Sequence, residues 1–232
     1  MNLQKRYISL FLKLVVVWIS IIIMGSTHLW AANPPQTAIE KIHNVNTIAL
    51  LPFQTIEKEG KVVSCPICGK LFRGGDVPLY AEKRLTNLFY QKLNALTFYR
   101  VLQTNQTEET ISKAAYDELK TSPLKTAIQI GKELNADAVL VGYVYRYQER
   151  EGYAYSVRKP ASVAFEVHLI SLIDNKGIWE GYFDETQKSL SENVLKLVDF
   201  IKTGGKWLTA DELAEHGVEK VFNKFPGLKK LE

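Results

Sequence analysis

The chain holds two cysteines, three positions apart in Cys65-Pro66-Ile67-Cys68-Gly69. Thiols at that spacing can grip one tetrahedral cation, and Gly69 lets the backbone turn so that its amides approach sulfur. Zinc is the cation such a pair suits. The pair supplies only half a site. The remaining ligands must come from His43, from His168, or from a second copy of the motif on another chain. The same spacing admits a Cys65–Cys68 disulfide or an exchange-active thiol pair. Reactive pairs of the latter kind sit at helix starts, whereas this one lies in a glycine-rich loop. Haem attachment is excluded, because position 69 would have to be His.

The Cys-Pro-x-Cys-Gly string resembles one knuckle of a zinc ribbon or rubredoxin. Elsewhere, chemistry-bearing residues are scattered. His28 lies in the leader, and His168 falls within a strand, where a lone histidine is ordinarily a hydrogen-bonded structural residue. Asp184-Glu185 and Asp211-Glu212 are adjacent pairs that do not face one substrate, and the second pair has a helix-capping role. No nucleophile elbow, phosphate loop or metalloprotease helix motif is present. The expectation is a non-enzymatic protein with no catalytic residues and no cofactor beyond a possible zinc. Gly74-Gly75 reads as a hinge before a helix.

Tyr143, Tyr145, Tyr147, Tyr153 and Tyr155 alternate along one stretch. They can form a partner-binding face, where tyrosine is enriched, a membrane-facing barrel strand, or ordinary edge packing. Glu149-Arg150-Glu151 and Arg158-Lys159 make a lipid-facing strand awkward.

The first thirty residues set where this chemistry operates. Lys5, Arg6 and Lys13 precede an apolar run from Leu14 to Met24, followed by Gly25, Ser26 and Thr27, then Ala31 and Ala32. A basic head, a short apolar middle and a small-residue exit form an export signal. Residues 1–31 are read as a cleaved signal peptide or a retained N-terminal anchor, the only membrane contact expected. An exported, periplasmic or membrane-associated envelope location follows, where thiols tend to oxidise. Residues 32–45 form a linker around Pro34-Pro35, and residues 46–232 form the domain.

Charge excludes one class of partner. The chain carries 29 basic and 25 acidic residues; the leader takes three basic and no acidic ones, leaving 26 against 25. Such a nearly neutral domain lacks the basic stripe that nucleic-acid binding needs.

The elements that position these residues follow from their apolar patterning. Thr47 to Phe53 is a short apolar strand ended by Pro52, and residues 54–77 are a loop holding both cysteines. From Pro78, Ala81, Leu85, Leu88, Phe89, Leu93 and Leu96 line one helical face. A strand at Phe98–Leu102 follows. Ser122-Pro123 starts another helix, and Ala138–Gly142 is a third strand. Ser162–Ile173 and Ile178–Thr186 form a hairpin around Asp174-Asn175-Lys176-Gly177, with Val163, Phe165, Val167 and Leu169 facing one way. Two C-terminal helices span 189–225; Leu190, Val194, Leu197, Val198 and Ile201 line the first, and Thr209 with Glu212 caps the second. The fold class is α/β: one domain, a mixed sheet of about five strands flanked by helices, with a C-terminal helical extension.

Four of these segments also resemble a bacterial envelope superfamily. It includes the penicillin-binding-protein activator lipoproteins, the curli secretion channel protein and the amino-terminal domain of the Tol translocation protein. Ile48-Ala49-Leu50-Leu51-Pro52-Phe53 is similar to its "IAVLPF" strand, and the Leu85–Leu96 helix leading into Tyr99-Arg100-Val101-Leu102 to its next segment. Leu134-Asn135-Ala136-Asp137-Ala138-Val139-Leu140-Val141-Gly142 is similar to "LGADAVLVGSV". Leu169–Asp174 with Gly177-Ile178-Trp179 resembles "LVDVKTGKIVW". The resemblance spans residues 46 to 185 and implies the fold, an envelope protein as partner, and a binding role or a subunit role in an outer-membrane assembly or secretion complex, with possible homo-oligomers. The chain departs from the lipoprotein members in having no cysteine at the exit of the leader to carry an acyl chain. The cysteine loop and the helices after Ser189 lie outside the pattern.

Overall fold

A computed structural model describes residues 44–56, 60–102, 111, 113–187 and 206–226. The leader, His28, His43 and the helix expected around Leu190 to Ile201 lie outside the described residues. Among the described residues no helix is long and apolar enough to cross a membrane.

The apolar run before Pro52 forms β1 (Thr47–Leu50), and β2 (Gln54–Thr55) resumes the same direction beyond the proline. Both pair in parallel with β6 (Ala138–Gln148). Pro52 has no amide to donate, and the chain around it is satisfied by α1 (Ala81–Leu96). The Phe53 amide donates to Thr86 Oγ1 at 2.9 Å and the Thr55 amide to Glu82 Oε1 at 2.6 Å. β5 (Arg100–Leu102) pairs in parallel with β1 on its other side. The helices α2 (Lys113–Thr121) and α3 (Pro123–Glu133) lead back to β6. β9 (Ser162–Ser171) and β10 (Lys176–Thr186) complete the sheet as an antiparallel meander, giving the order β10-β9-β6-β1-β5.

Two apolar layers cover the sheet. On one face α1 and α4 (Ala210–Phe222) pack Leu85, Phe89, Leu93, Leu213, Val218 and Phe222 against it. Val163, Phe165, Val167 and Leu169 all point into this layer, the facing expected from their alternation. On the other face α2 and α3 contribute Leu119, Ala127 and Ile130, beside Val139, Val141, Ala164 and Ile170. Thr209 caps α4 as its sequence requires: its hydroxyl accepts from the Glu212 amide at 3.1 Å, and Glu212 accepts the Thr209 amide at 2.9 Å.

The segments that resemble the envelope superfamily do structural work here. Asn135 takes a positive φ of 52° as the chain leaves α3. Asp137 Oδ2 accepts the amides of Asn46 and Thr47, both at 2.9 Å, which ties the start of β1 to β6. Gly142 lies under the Phe53 ring, and a Cβ there would stand 2.3 Å from the ring carbon Cζ. The proline-phenylalanine of one segment therefore packs on the glycine of another.

Three regions differ from the sequence reading. The loop expected at 54–77 contains β2 and a two-stranded hairpin, β3 (Val62–Ser64) and β4 (Leu71–Arg73). Helix α2 precedes the Ser122-Pro123 start. The stretch after Gln148, given no element in the sequence, forms a small hairpin of β7 (Glu151–Tyr153) and β8 (Ser156–Lys159).

Candidate metal centre

The β3–β4 hairpin is pinned over the α2/α3 face of the sheet by its inward side chains. Val63 and Phe72 are buried while Val62 and Leu71 face outward, the alternation a one-sided hairpin requires. Phe72 stacks on Tyr145 of β6 with centroids 4.2 Å apart and 9° between the rings. At the hairpin tip, the Cys65 amide donates to the Lys70 carbonyl at 2.7 Å and the Gly69 amide to the Cys65 carbonyl at 3.0 Å. Gly69 closes this turn at φ +76°, a conformation that favours glycine. The Ile67 amide points at Cys65 Sγ (3.4 Å) and the Lys70 amide at Cys68 Sγ (3.5 Å). Amides aimed at both sulfurs are the feature of a metal knuckle that the sequence suggested.

The sheet supplies what the knuckle lacks. Glu166 and His168 are two apart on β9, so they share its α2/α3 face, opposite Val163, Phe165, Val167 and Leu169. Cys65 Sγ lies 3.3 Å from His168 Nε2, and Cys68 Sγ donates to Glu166 Oε1 at 3.2 Å. His168 Nε2 is 3.6 Å from Glu166 Oε2. One ligand atom from each of Cys65, Cys68, Glu166 and His168 lies within 4.8 Å of all the others. Tetrahedral zinc, with bonds of about 2.0–2.3 Å, would place its ligand atoms roughly 3.3–3.8 Å apart. The donor set of two sulfurs, one imidazole and one carboxylate, at these separations, fits zinc. No second chain is required.

Electrostatics hold the cluster together without a metal. Burial would raise the Cys65 thiol, but the contact with His168 and the approaching amides outweigh it and leave it below its ordinary value. Cys68 is pushed up to about 12, first by loss of solvent and then by Glu166 and Cys65. Burial would raise Glu166, yet His168, Cys65 and Cys68 hold it down at about 2. Burial would likewise lower His168, and Cys65 with Glu166 raises it to about 9. A Zn²⁺ ion with two thiolates and a carboxylate would carry one excess negative charge. Lys70 stands ready to offset it, with Nζ 3.4 Å from Glu166 Oε1, 3.5 Å from Glu180 Oε1 and 3.7 Å from the Tyr182 ring centroid.

Among the residues singled out from sequence, Cys65, Cys68 and His168 meet. Both cysteines are free, so the Cys65–Cys68 disulfide is not the state of this structure; each sulfur faces a partner on the sheet instead. The sequence reading missed Glu166. A usable signal was present: a carboxylate and an imidazole two apart in a strand buried on both faces.

The five tyrosines do not form one face, and this corrects the partner-binding reading for three of them. Tyr143, Tyr145 and Tyr147 are core residues. Tyr143 Oη donates to the Leu119 carbonyl at 2.9 Å, Tyr145 Oη to Glu166 Oε2 at 3.4 Å and Tyr147 Oη to Asp211 Oδ1 at 2.5 Å. A β-bulge between Val144 and Arg146 breaks their alternation, so Tyr147 enters the α1/α4 layer while Tyr143 and Tyr145 stay on the opposite one. Tyr153 and Tyr155 are exposed on the β7–β8 hairpin. The adjacent acids are structural as well: Asp184 accepts from Arg146, Glu185 pairs with Lys220, Asp211 meets Tyr147, and Glu212 caps α4.

No family model and no curated protein matches the chain. Among solved structures it is similar to the PelC dodecamer from Paraburkholderia phytofirmans, with 12% identity over 77% of this chain and 86% of that one at a TM-score of 0.45. It is also similar to lipoprotein GNA1162 from Neisseria meningitidis, with 17% identity over 68% and 91% and a TM-score of 0.41. The LpoB C-terminal domain from Salmonella enterica gives 13% identity over 66% and 95% with a TM-score of 0.35.

Proposed function

We propose that this chain is an exported, non-enzymatic binding domain in which a structural zinc ion clasps the β3–β4 hairpin to the central sheet. The convergence of Cys65, Cys68, Glu166 and His168 from two elements far apart in sequence carries this reading. All four positions are filled by protein groups, which suits a structural role over a catalytic one, where a coordination position stays open. Metal analysis of protein purified under reducing, chelator-free conditions should find one zinc per chain. Cys65→Ser and His168→Ala should each lose it. A wild-type protein that binds no zinc when offered it would sink the metal reading.

The export leader and the strand motifs support an envelope protein as the binding partner. Tyr153 and Tyr155, exposed on a hairpin of their own, are the aromatic side chains best placed to meet it. Alanine at either position should weaken partner capture about tenfold or more while leaving the melting temperature in place. Unchanged capture by the double variant would move the binding surface elsewhere.

A further inference from the structure

The four ligands of the cluster differ in how they meet solvent. Glu166 is 0% exposed, His168 4% and Cys65 2%, whereas Cys68 is an exposed residue. A reagent arriving from outside therefore meets a sulfur first, and only one of the two. Metal-bound thiolates remain nucleophiles toward disulfides, and access decides which sulfur reacts.

We infer that Cys68 is an oxidative modification site with Cys65 as its resolving thiol, so that thiol oxidation expels the zinc and unclasps the β3–β4 hairpin. This rests on the zinc reading above. In the first step Cys68 Sγ attacks one sulfur of a small disulfide such as oxidised glutathione. The reagent's S–S bond breaks, a mixed disulfide forms on Cys68, and one glutathione thiolate leaves. Cys65 Sγ then attacks Cys68 Sγ, the mixed disulfide breaks, and the second glutathione thiolate leaves. Two electrons pass from the cysteine pair to the reagent, while zinc keeps its charge and departs as Zn²⁺.

The geometry favours this closure. The sulfurs already lie within 4.8 Å of each other. They sit in one turn beside Gly69, which has no Cβ to restrict the backbone as they close to about 2.05 Å, and around which the space is open. Once the sulfurs bond to each other, only Glu166 and His168 remain as ligands, too few to retain zinc in a four-ligand site. The hairpin is then held by the Phe72–Tyr145 stack and by Lys70 on Glu166 and Glu180, without its metal bond to β9.

The test uses the zinc-loaded mature chain, titrated with oxidised glutathione while a chromogenic chelator and intact-mass measurement follow it. Zinc release should track the loss of two hydrogens per chain, and amide exchange in residues 60–75 should accelerate. With Cys65→Ser, a glutathione adduct should accumulate on Cys68; with Cys68→Ser, Cys65 should stay unmodified. Zinc retained through full thiol oxidation, or an adduct forming on Cys65 as readily as on Cys68, would overturn this inference alone. Absence of zinc from the reduced starting protein would overturn the zinc reading and this one with it.

Discussion

Zinc affinity should rise about a hundredfold for each pH unit between about pH 6 and 8. The reason lies in the protons the empty cluster holds. With Cys68 at about 12 and His168 at about 9, both groups are protonated across that window, while Glu166 at about 2 is ionised. Zinc must displace one proton from each of the first two, and every displaced proton contributes a factor of ten per pH unit. Cys65 adds to the count only to the extent that it remains a thiol. Calorimetry in buffers of different ionisation heat should therefore report at least two protons released per zinc at neutral pH. Release of no protons, or an affinity flat with pH, would show that these two groups do not ligate the metal.

Without metal, the imidazole's share of the stability should show the opposite trend. His168 has a folded value raised from about 6.5 to about 9 by Cys65 and Glu166. The stability it contributes is fully present below about pH 6.5 and is lost as pH rises through about 9. The His168 contribution thus falls toward alkaline pH, with the lowered Cys65 thiol acting in the opposite sense, while zinc-loaded protein tightens. Melting curves of the two forms should diverge as pH increases, which separates a metal clasp from a plain buried ion pair.

Much of this architecture was legible because its signals are local. The alternation of Val163, Phe165, Val167 and Leu169 fixed the facing of β9, and the Thr209 to Glu212 spacing placed the start of α4. Half of the metal centre was legible for the same reason, since Cys65, Cys68 and Gly69 make one turn. Its other half depends on topology. His168 and Glu166 meet the knuckle only because the β3–β4 hairpin folds back over β9, across about a hundred residues of sequence. No local pattern encodes that return. The tyrosine face failed for a related reason: alternation predicts a common side only in a regular strand, and one bulged position sends Tyr147 to the other layer. The short β3, β4, β7 and β8 strands were missed because segments of three or four residues carry too few alternations to stand out from loop.

Phe165→Ala should cost about 3–5 kcal/mol, enough to take most of the stability of an ordinary domain. Phe165 is fully buried, with ring centroids 5.8 Å from Phe89, 5.7 Å from Phe183 and 6.4 Å from Phe53. It joins α1, β10 and the segment after Pro52 in one aromatic cluster. Truncation removes the transfer free energy of the ring and leaves a cavity that close-packed neighbours relax into only in part. The urea midpoint should fall sharply with an unchanged slope, whereas Tyr155→Ala, on the exposed hairpin, should stay within about 0.5 kcal/mol of wild type. A loss below about 1 kcal/mol for Phe165→Ala would mean that the α1/α4 layer is not packed around this ring. Phe165 also bears on the metal without touching it. It immediately precedes Glu166 on β9 and faces the opposite layer, so the ring that anchors one face of the strand sets the height of the carboxylate and imidazole on the other. Zinc should accordingly be lost together with the fold in this variant, in a single transition, whereas His168→Ala should lose zinc and keep the aromatic core.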